Sequence, residues 1–195
     1  MEKIRLYLNS VCPLSRGAWK FLEMRLVKIE LKEGEVLLRP GETCTMLWFV
    51  GEGLLRSYEH FAQKDYCNWF MTKNDIATSV ISFFDEVPTA ETVEALEDSV
   101  VYGISKSDLF IGLTRHRSLL MLTFLLTVKY YCQTRKMESA LRKKSSAQLY
   151  DFLLLHHPEL VSRVDNKYLA TFMGIGETSL YTIKYEKKNP KNLQN

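Results

Sequence analysis

The chain has 195 residues, 46% hydrophobic and 25% charged, with a formal net charge of +3; that is enough for one or two domains with a proper core, and it excludes wholesale disorder and any need for disulfide or metal staples. The charge is split: residues 1–128 hold 14 Lys and Arg against 17 Asp and Glu, while residues 129–195 hold 12 against 6, an acidic front and a basic rear that point to a polyanion partner at the rear. The most apolar run, residues 118–128, is 11 residues long, short of the ~20 a membrane span needs, and Met1-Glu2-Lys3-Ile4-Arg5 lacks a secretory apolar region, so a cytoplasmic protein without membrane attachment is expected.

Residues 1–26 read as short helices broken at Pro13 and Gly17, with Trp19, Phe21, Leu22 and Leu26 on an apolar face. Period-2 patterning then takes over. Val27-Lys28-Ile29-Glu30-Leu31 alternates strictly, Lys32-Glu33-Gly34 turns, and Glu35-Val36-Leu37-Leu38-Arg39 resumes the strand. Met46-Leu47-Trp48-Phe49-Val50 reads as a buried strand. Leu54-Leu55-Arg56-Ser57-Tyr58-Glu59 and Asp65-Tyr66-Cys67-Asn68-Trp69-Phe70 read as a hairpin, and residues 92–96 and 100–104 as another around Glu97-Asp98-Ser99. Many short strands with glycine or acidic turns predict a sandwich, jelly roll or barrel.

At residue 105 the period becomes helical. Ser105 is placed as an N-cap with Asp108 three residues on, opening a helix over 106–113. A long helix over 116–142 carries the stripe Leu119, Leu122, Leu126, Tyr130, Met137 and Leu141, spaced mostly by three and four. That stripe suits a homodimer seam or the packing of the helix on its own β domain. Ser145-Ser146 can cap a further helix over 147–156, which ends before Pro158.

The four cysteines, Cys12, Cys44, Cys67 and Cys132, have no paired spacing, and His156-His157 diverge on a helix. No metal site and no cofactor is expected. No nucleophile elbow, P-loop or dinucleotide fingerprint occurs, so the chain does not read as an enzyme.

Residues 167–188 carry the most specific pattern. Leu169, Ala170 and Met173 sit at core spacing, Gly174 falls where a turn needs a positive φ, Ile175 plugs the turn, and Leu180 and Ile183 anchor a second helix. The plain alternative is an αα-hairpin with a solvated lysine face.

In this order the elements resemble the Crp/Fnr superfamily of bacterial transcription regulators, and among them the short variants common in Bacteroidetes. The resemblance is carried by residues 31–42 as the opening hairpin of a cyclic-nucleotide-binding-like β-roll, by 49–56 as the next strand and glycine turn, by 92–99 as the strand after the phosphate cassette, and by Tyr168-Leu169-Ala170, Gly174-Ile175 and Ser179-Leu180 as a helix-turn-helix. It implies an α+β chain: a jelly-roll sensor over 1–115, a dimerisation helix over 116–142 bearing Leu119, Leu122, Leu126, Tyr130 and Met137, and a winged-helix-like helix-turn-helix domain over 143–195. It implies DNA as a partner through Glu177, Thr178, Ser179, Tyr181, Thr182, Lys184, Lys187 and Lys188, with Lys191 beyond them. It further implies a homodimer, RNA polymerase as a protein partner, and either a small-molecule effector of unknown identity or none.

The sequence departs from the family at two places. Where the family holds a cyclic phosphate with an Arg and a Ser or Thr after a Pro, Pro88 is followed by Thr89 and Ala90, and the ribose-binding Gly-Glu is replaced by Thr78-Ser79. Without a guanidinium, and with Asp85, Glu86 and Glu91 nearby, cyclic AMP is not the expected effector. The pocket could even be filled by side chains such as Phe83 or Trp69. The recognition helix also lacks the family's base-reading arginine, with Thr178, Tyr181 and Thr182 at the matching positions and Gly176 as its N-cap. A sensory or interaction module with a degenerate DNA-binding output is therefore the alternative.

Overall fold

The computed structural model describes residues 2–189; Lys191 lies outside them. Two helices open the chain, α1 (Glu2–Val11) and α2 (Arg16–Arg25). The Ser15 side chain caps α2 by accepting from the Ala18 amide, which satisfies one of the amides left open at a helix start. Ala18, Trp19, Phe21 and Leu22 turn inward.

Eight strands follow, interrupted by one short helix. They are β1 (Val27–Leu31), β2 (Val36–Leu38), β3 (Met46–Glu52), β4 (Leu54–Phe61), β5 (Lys64–Thr72), β6 (Ile76–Ala77), then α3 (Val80–Asp85), β7 (Thr92–Ala95) and β8 (Ser99–Ser105). They make two four-stranded sheets, in the orders β1-β8-β3-β6 and β2-β7-β4-β5, with every pairing antiparallel. Leu31, Val50, Leu55, Met71, Val93 and Val101 fill the space between them. Gly53 makes the β3–β4 corner at φ +105°, where a Cβ would lie 2.0 Å from the Ser99 hydroxyl oxygen and 2.7 Å from its Cα; only glycine fits.

The jelly-roll expectation holds, with two corrections of pairing. Residues 92–96 and 100–104 are not a hairpin, because β7 pairs with β2 and β4 while β8 pairs with β1 and β3. Likewise β1 and β2 do not pair with each other but enter opposite sheets. The β4–β5 hairpin forms as expected, from Leu54↔Thr72 to Phe61↔Lys64.

Helices α4 (Lys106–Arg115) and α5 (Arg117–Lys143) leave the roll. Ser105 caps α4 as expected, accepting from the Asp108 amide at 3.1 Å. The N-terminal half of α5 packs with α1, α2 and α4 on the roll, burying Leu119, Leu122 and Leu126. This corrects the dimer-seam assignment. Leu119, Leu122, Leu126 and Met137 are buried within the protomer, and Tyr130 accepts a hydrogen bond from the Ile76 amide at 2.9 Å and donates to Asp75 at 3.3 Å. The exposed apolar face of α5 is instead Leu120, Met121, Phe124, Leu125, Val128 and Tyr131.

Beyond α5 come α6 (Ser146–His156), α7 (Pro158–Arg163), α8 (Asn166–Phe172) and α9 (Glu177–Lys188). Ser145 and Gln148 form a reciprocal capping box on α6. Pro158 sits in the first turn of α7, where its missing amide costs nothing. Gly174, at φ +68°, makes the turn between α8 and α9, as the pattern predicted. Leu149, Leu153, Leu169, Ala170, Leu180 and Ile183 share a core with Met137 and Ala140 of α5.

Helix α8 is also docked on the roll. Phe172 stands edge-on to Phe70 (5.2 Å) and Trp69 (6.1 Å), the Cys67 amide donates to the Thr171 hydroxyl at 3.4 Å, and Arg163 pairs with Glu97. No single helix among the described residues is long and apolar enough to cross a membrane.

Candidate effector cavity and helical surface

A cavity of about 810 Å³ lies between the roll, α3, α4 and α5. All four residues expected at the degenerate cassette, Thr78, Ser79, Thr89 and Ala90, line it together. The segment 86–91 is strapped in place by its backbone. Gly41 donates its amide to the Thr89 carbonyl at 2.8 Å, and Thr89 donates its own to the Glu42 carbonyl at 2.9 Å. Ser79 and Thr89, both buried, share a hydroxyl–hydroxyl hydrogen bond of 3.0 Å, and the Glu91 amide donates to the Thr89 hydroxyl at 3.0 Å. Thr89, the residue expected where the family pattern puts a cation, thus has its hydroxyl bonded to that of Ser79.

The expectation that side chains fill the pocket is not met. Phe83 is fully buried under α3 beside Phe84, and Trp69 forms part of the wall. Among the described residues, no Lys, Arg or His lines the cavity, and the charged groups on its wall are Glu59 and Glu91. Asn68 donates to both carboxylates, at 3.2 and 3.0 Å. Asp85 and Glu86, expected to add acidity, do not line it; Glu86 pairs with Lys106 at 2.8 Å. The rest of the wall is mostly apolar, with Ile81 and Phe84 of α3 and Phe110 of α4. The sequence reading missed Asn68 and this apolar wall. The available signal was the run Val80-Ile81-Ser82-Phe83-Phe84, too apolar for a surface helix of one and a half turns.

On the helical end, Glu177, Thr178, Ser179, Tyr181, Thr182, Tyr185, Lys187 and Lys188 of α9 are exposed, while Leu180 and Ile183 face inward. Two of the expected phosphate contacts are partly committed at home. Lys184 is half-buried and donates to Asn166, and burial, with Lys188 adding to it, holds its ammonium below the usual lysine range. Lys187 pairs with Asp151 at 2.6 Å, an exposed pair of small energy that a phosphate can replace. Arg142, Lys143 and Lys144, at the end of α5, are exposed beside α6. Among the described residues, no group of His, Cys, Asp and Glu could hold a metal, and the four cysteines are free.

Two packed sheets, a long helix packed on them and a helical cluster at its far end define the class: a β-roll fold with an appended helical domain. Residues 28–116 match the cyclic nucleotide-binding domain family, and the described fold is similar to that of solved Crp/Fnr-type regulators over 85–90% of the chain. It resembles FixK2 from Bradyrhizobium japonicum (TM-score 0.72, 13% identity, 85% of each chain covered). It also resembles a CooA variant from Carboxydothermus hydrogenoformans (0.69, 12%, 89% of this chain and 79% of that one). A third match is a Eubacterium rectale protein assigned to the Crp/Fnr family of transcriptional regulators (0.66, 16%, 90% and 84%). No curated protein sequence matches the chain.

Proposed function

We propose that the chain is a homodimeric DNA-binding transcription regulator whose β-roll is a sensor and whose α8–α9 pair is a helix-turn-helix. In this reading residues 1–115 sense, 116–142 dimerise and 143–195 bind DNA. The observation that carries it is the geometry of α9. Leu180 and Ile183 anchor the helix on α6 and α8, so Glu177, Thr178, Tyr181, Thr182 and Tyr185 are presented outward, with Lys187 and Lys188 at the end for phosphates. The dimer forms through the outer row of α5, an unbroken apolar surface of five or six side chains, more than a monomer ordinarily shows water.

Cyclic AMP is not the effector in this reading, since a cyclic phosphate would sit beside Glu91 with no cation in the wall. Calorimetry with cyclic AMP is expected to show no binding tighter than about 10 µM, equivalent to ~7 kcal/mol. Genome-wide site selection with the purified chain, run with and without metabolite extract, tests the regulator reading. Enrichment of a two-fold symmetric site supports it, and recovery of no enriched sites overturns it. The second reading, an interaction module with a degenerate output, is favoured by the absence of a base-reading arginine on α9. Salt-dependent retention on DNA separates the two: sequence-tolerant, steeply salt-dependent binding supports the regulator reading in its weak form, and no retention supports the interaction module.

A further inference from the structure

The cassette cavity differs from an anion site in every respect the structure records. We propose that it holds a predominantly apolar, non-anionic small molecule, and that this chemical class is the effector of the sensor proposed above, on which the assignment rests.

Size comes first. About 810 Å³ lies within the range of about 300–1,000 Å³ typical of small-molecule sites. Charge comes second. Among the described residues the lining has no Lys, Arg or His but does contain Glu59 and Glu91, so a carboxylate or phosphate entering it would lose water and meet like charge. Arg56 cannot supply the missing cation. It lies on β4 between Leu55 and Ser57, on the face turned toward α8, where Glu94, Asp65, Tyr58 and Tyr168 surround it. Ser57 and Glu59 face the cavity.

Exposed apolar surface is the third point. Ile81 is 71% exposed and Phe84 55%, on a short helix whose other face is buried at Phe83. Phe110 and Tyr131 stand open across from them. An apolar molecule between these walls removes that surface from water on both sides. The paired hydroxyls of Ser79 and Thr89 and the Asn68 amide give it a neutral polar anchor.

The occupant is a small molecule rather than a second copy of the chain because the cavity and the outer row of α5 are made of different residues, with Tyr131 alone at their shared edge. The inner α5 residues Leu119, Leu122 and Leu126, flanked by Thr123 and Thr127, line the cavity. The outer row of Leu120, Met121, Phe124, Leu125 and Val128 does not. A partner protomer on the outer row leaves the cavity free.

The test uses the full chain and N-phenyl-1-naphthylamine, a neutral apolar fluorophore. Saturable, blue-shifted emission at micromolar concentration is expected, with competition by decanol or decyltrimethylammonium at least tenfold stronger than by decanoate. Thr123→Trp, which fills the cavity from α5, is expected to weaken the probe at least tenfold. Ala90→Phe at the exposed rim repeats the test should Thr123→Trp fail to fold. Phe124→Ser on the outer row is expected to leave the affinity within twofold. The proposal is overturned if decanoate competes as well as decanol, if the filled variants bind the probe unchanged, or if Phe124→Ser abolishes binding, which would place the probe at the dimer face. Salt-dependent DNA retention is measured on the same variants. A chain that retains DNA without binding the probe loses the effector assignment alone, and one that binds the probe without retaining DNA loses the regulator reading alone.

Discussion

At Arg56 one buried guanidinium serves two carboxylates and two rings. Its Nε donates to Glu94 at 2.6 Å and Nη2 to Asp65 at 3.3 Å, while Tyr58 of the roll and Tyr168 of α8 stack on it at 3.9 and 3.7 Å. The side chain is 3% exposed and that of Glu94 14%, so solvent screens this pair little. Arg56→Met would leave Glu94 with its charge uncompensated and is expected to lower stability by about 3–5 kcal/mol in urea unfolding. Adding Glu94→Leu should recover most of that loss, because the pair itself adds little net stability; a double variant as unstable as the single one would contradict this. Cys67, behind the same strand, is also buried, and burial pushes its thiol up to about 12. The unfolded chain therefore loses this proton first as pH rises, and the folded form is penalised. Stability is expected to fall between about pH 9 and 12, by on the order of 1 kcal/mol per pH unit from this group. Cys67→Ala should flatten that slope in melts taken at pH 8, 9 and 10.

At the level of elements, α5 shows what periodicity can and cannot say. Spacing of three and four marks an apolar face, and Leu119, Leu122 and Leu126 do form one. It does not say what the face touches, and α5 is apolar on two sides: one against its own roll, the other in water at Phe124, Leu125 and Val128. The two sides separate in experiment. Leu122→Glu buries an unpaired charge and is expected to unfold the domain, whereas Leu125→Glu should keep the melting temperature within a few degrees and turn a dimer into a monomer in sedimentation. A wild-type chain that sediments as a monomer would remove the dimer reading. Strand pairing was less legible for a similar reason. The bounds of β1 and the positions of β4 and β5 are plain from the sequence pattern, though β4 and β5 run one or two residues further than it shows, but β7 and β8, separated by three residues, enter different sheets because partner choice is set by distant strands. Helices α3 and α7, six residues each, are too short to establish a period. The cassette residues were legible as a missing cation, yet the cavity's apolar character was not, since it comes from walls contributed by α3, α4 and α5 at once.

Over the whole molecule, the charge split becomes a spatial one. Arg142, Lys143, Lys184, Lys187 and Lys188 lie at the end of α5 and on α9, while among the described residues the cavity of the roll has carboxylates and no cation in its wall. Between them stands Trp69, which lines the cavity and lies 6.1 Å from Phe172 of α8, so the cavity wall and the helical domain share one side chain. The proposed DNA binding by the basic end has a quantitative signature. Each phosphate contact releases about 0.9 counterion on duplex DNA. Lys188 is exposed at the end of α9, and Lys184 is held by Asn166. Lys188→Ala is therefore expected to weaken binding about equally on all sequences and to lower the slope of log affinity against log salt by about 1 per protomer. Lys184→Ala should change the slope less. Tyr181→Ala, on the outward face of the same helix, should leave the slope unchanged and reduce discrimination between selected and random sites. Equal slopes for wild type and Lys188→Ala would mean that the end of α9 does not face the DNA backbone, and the basic rear would then serve another polyanion.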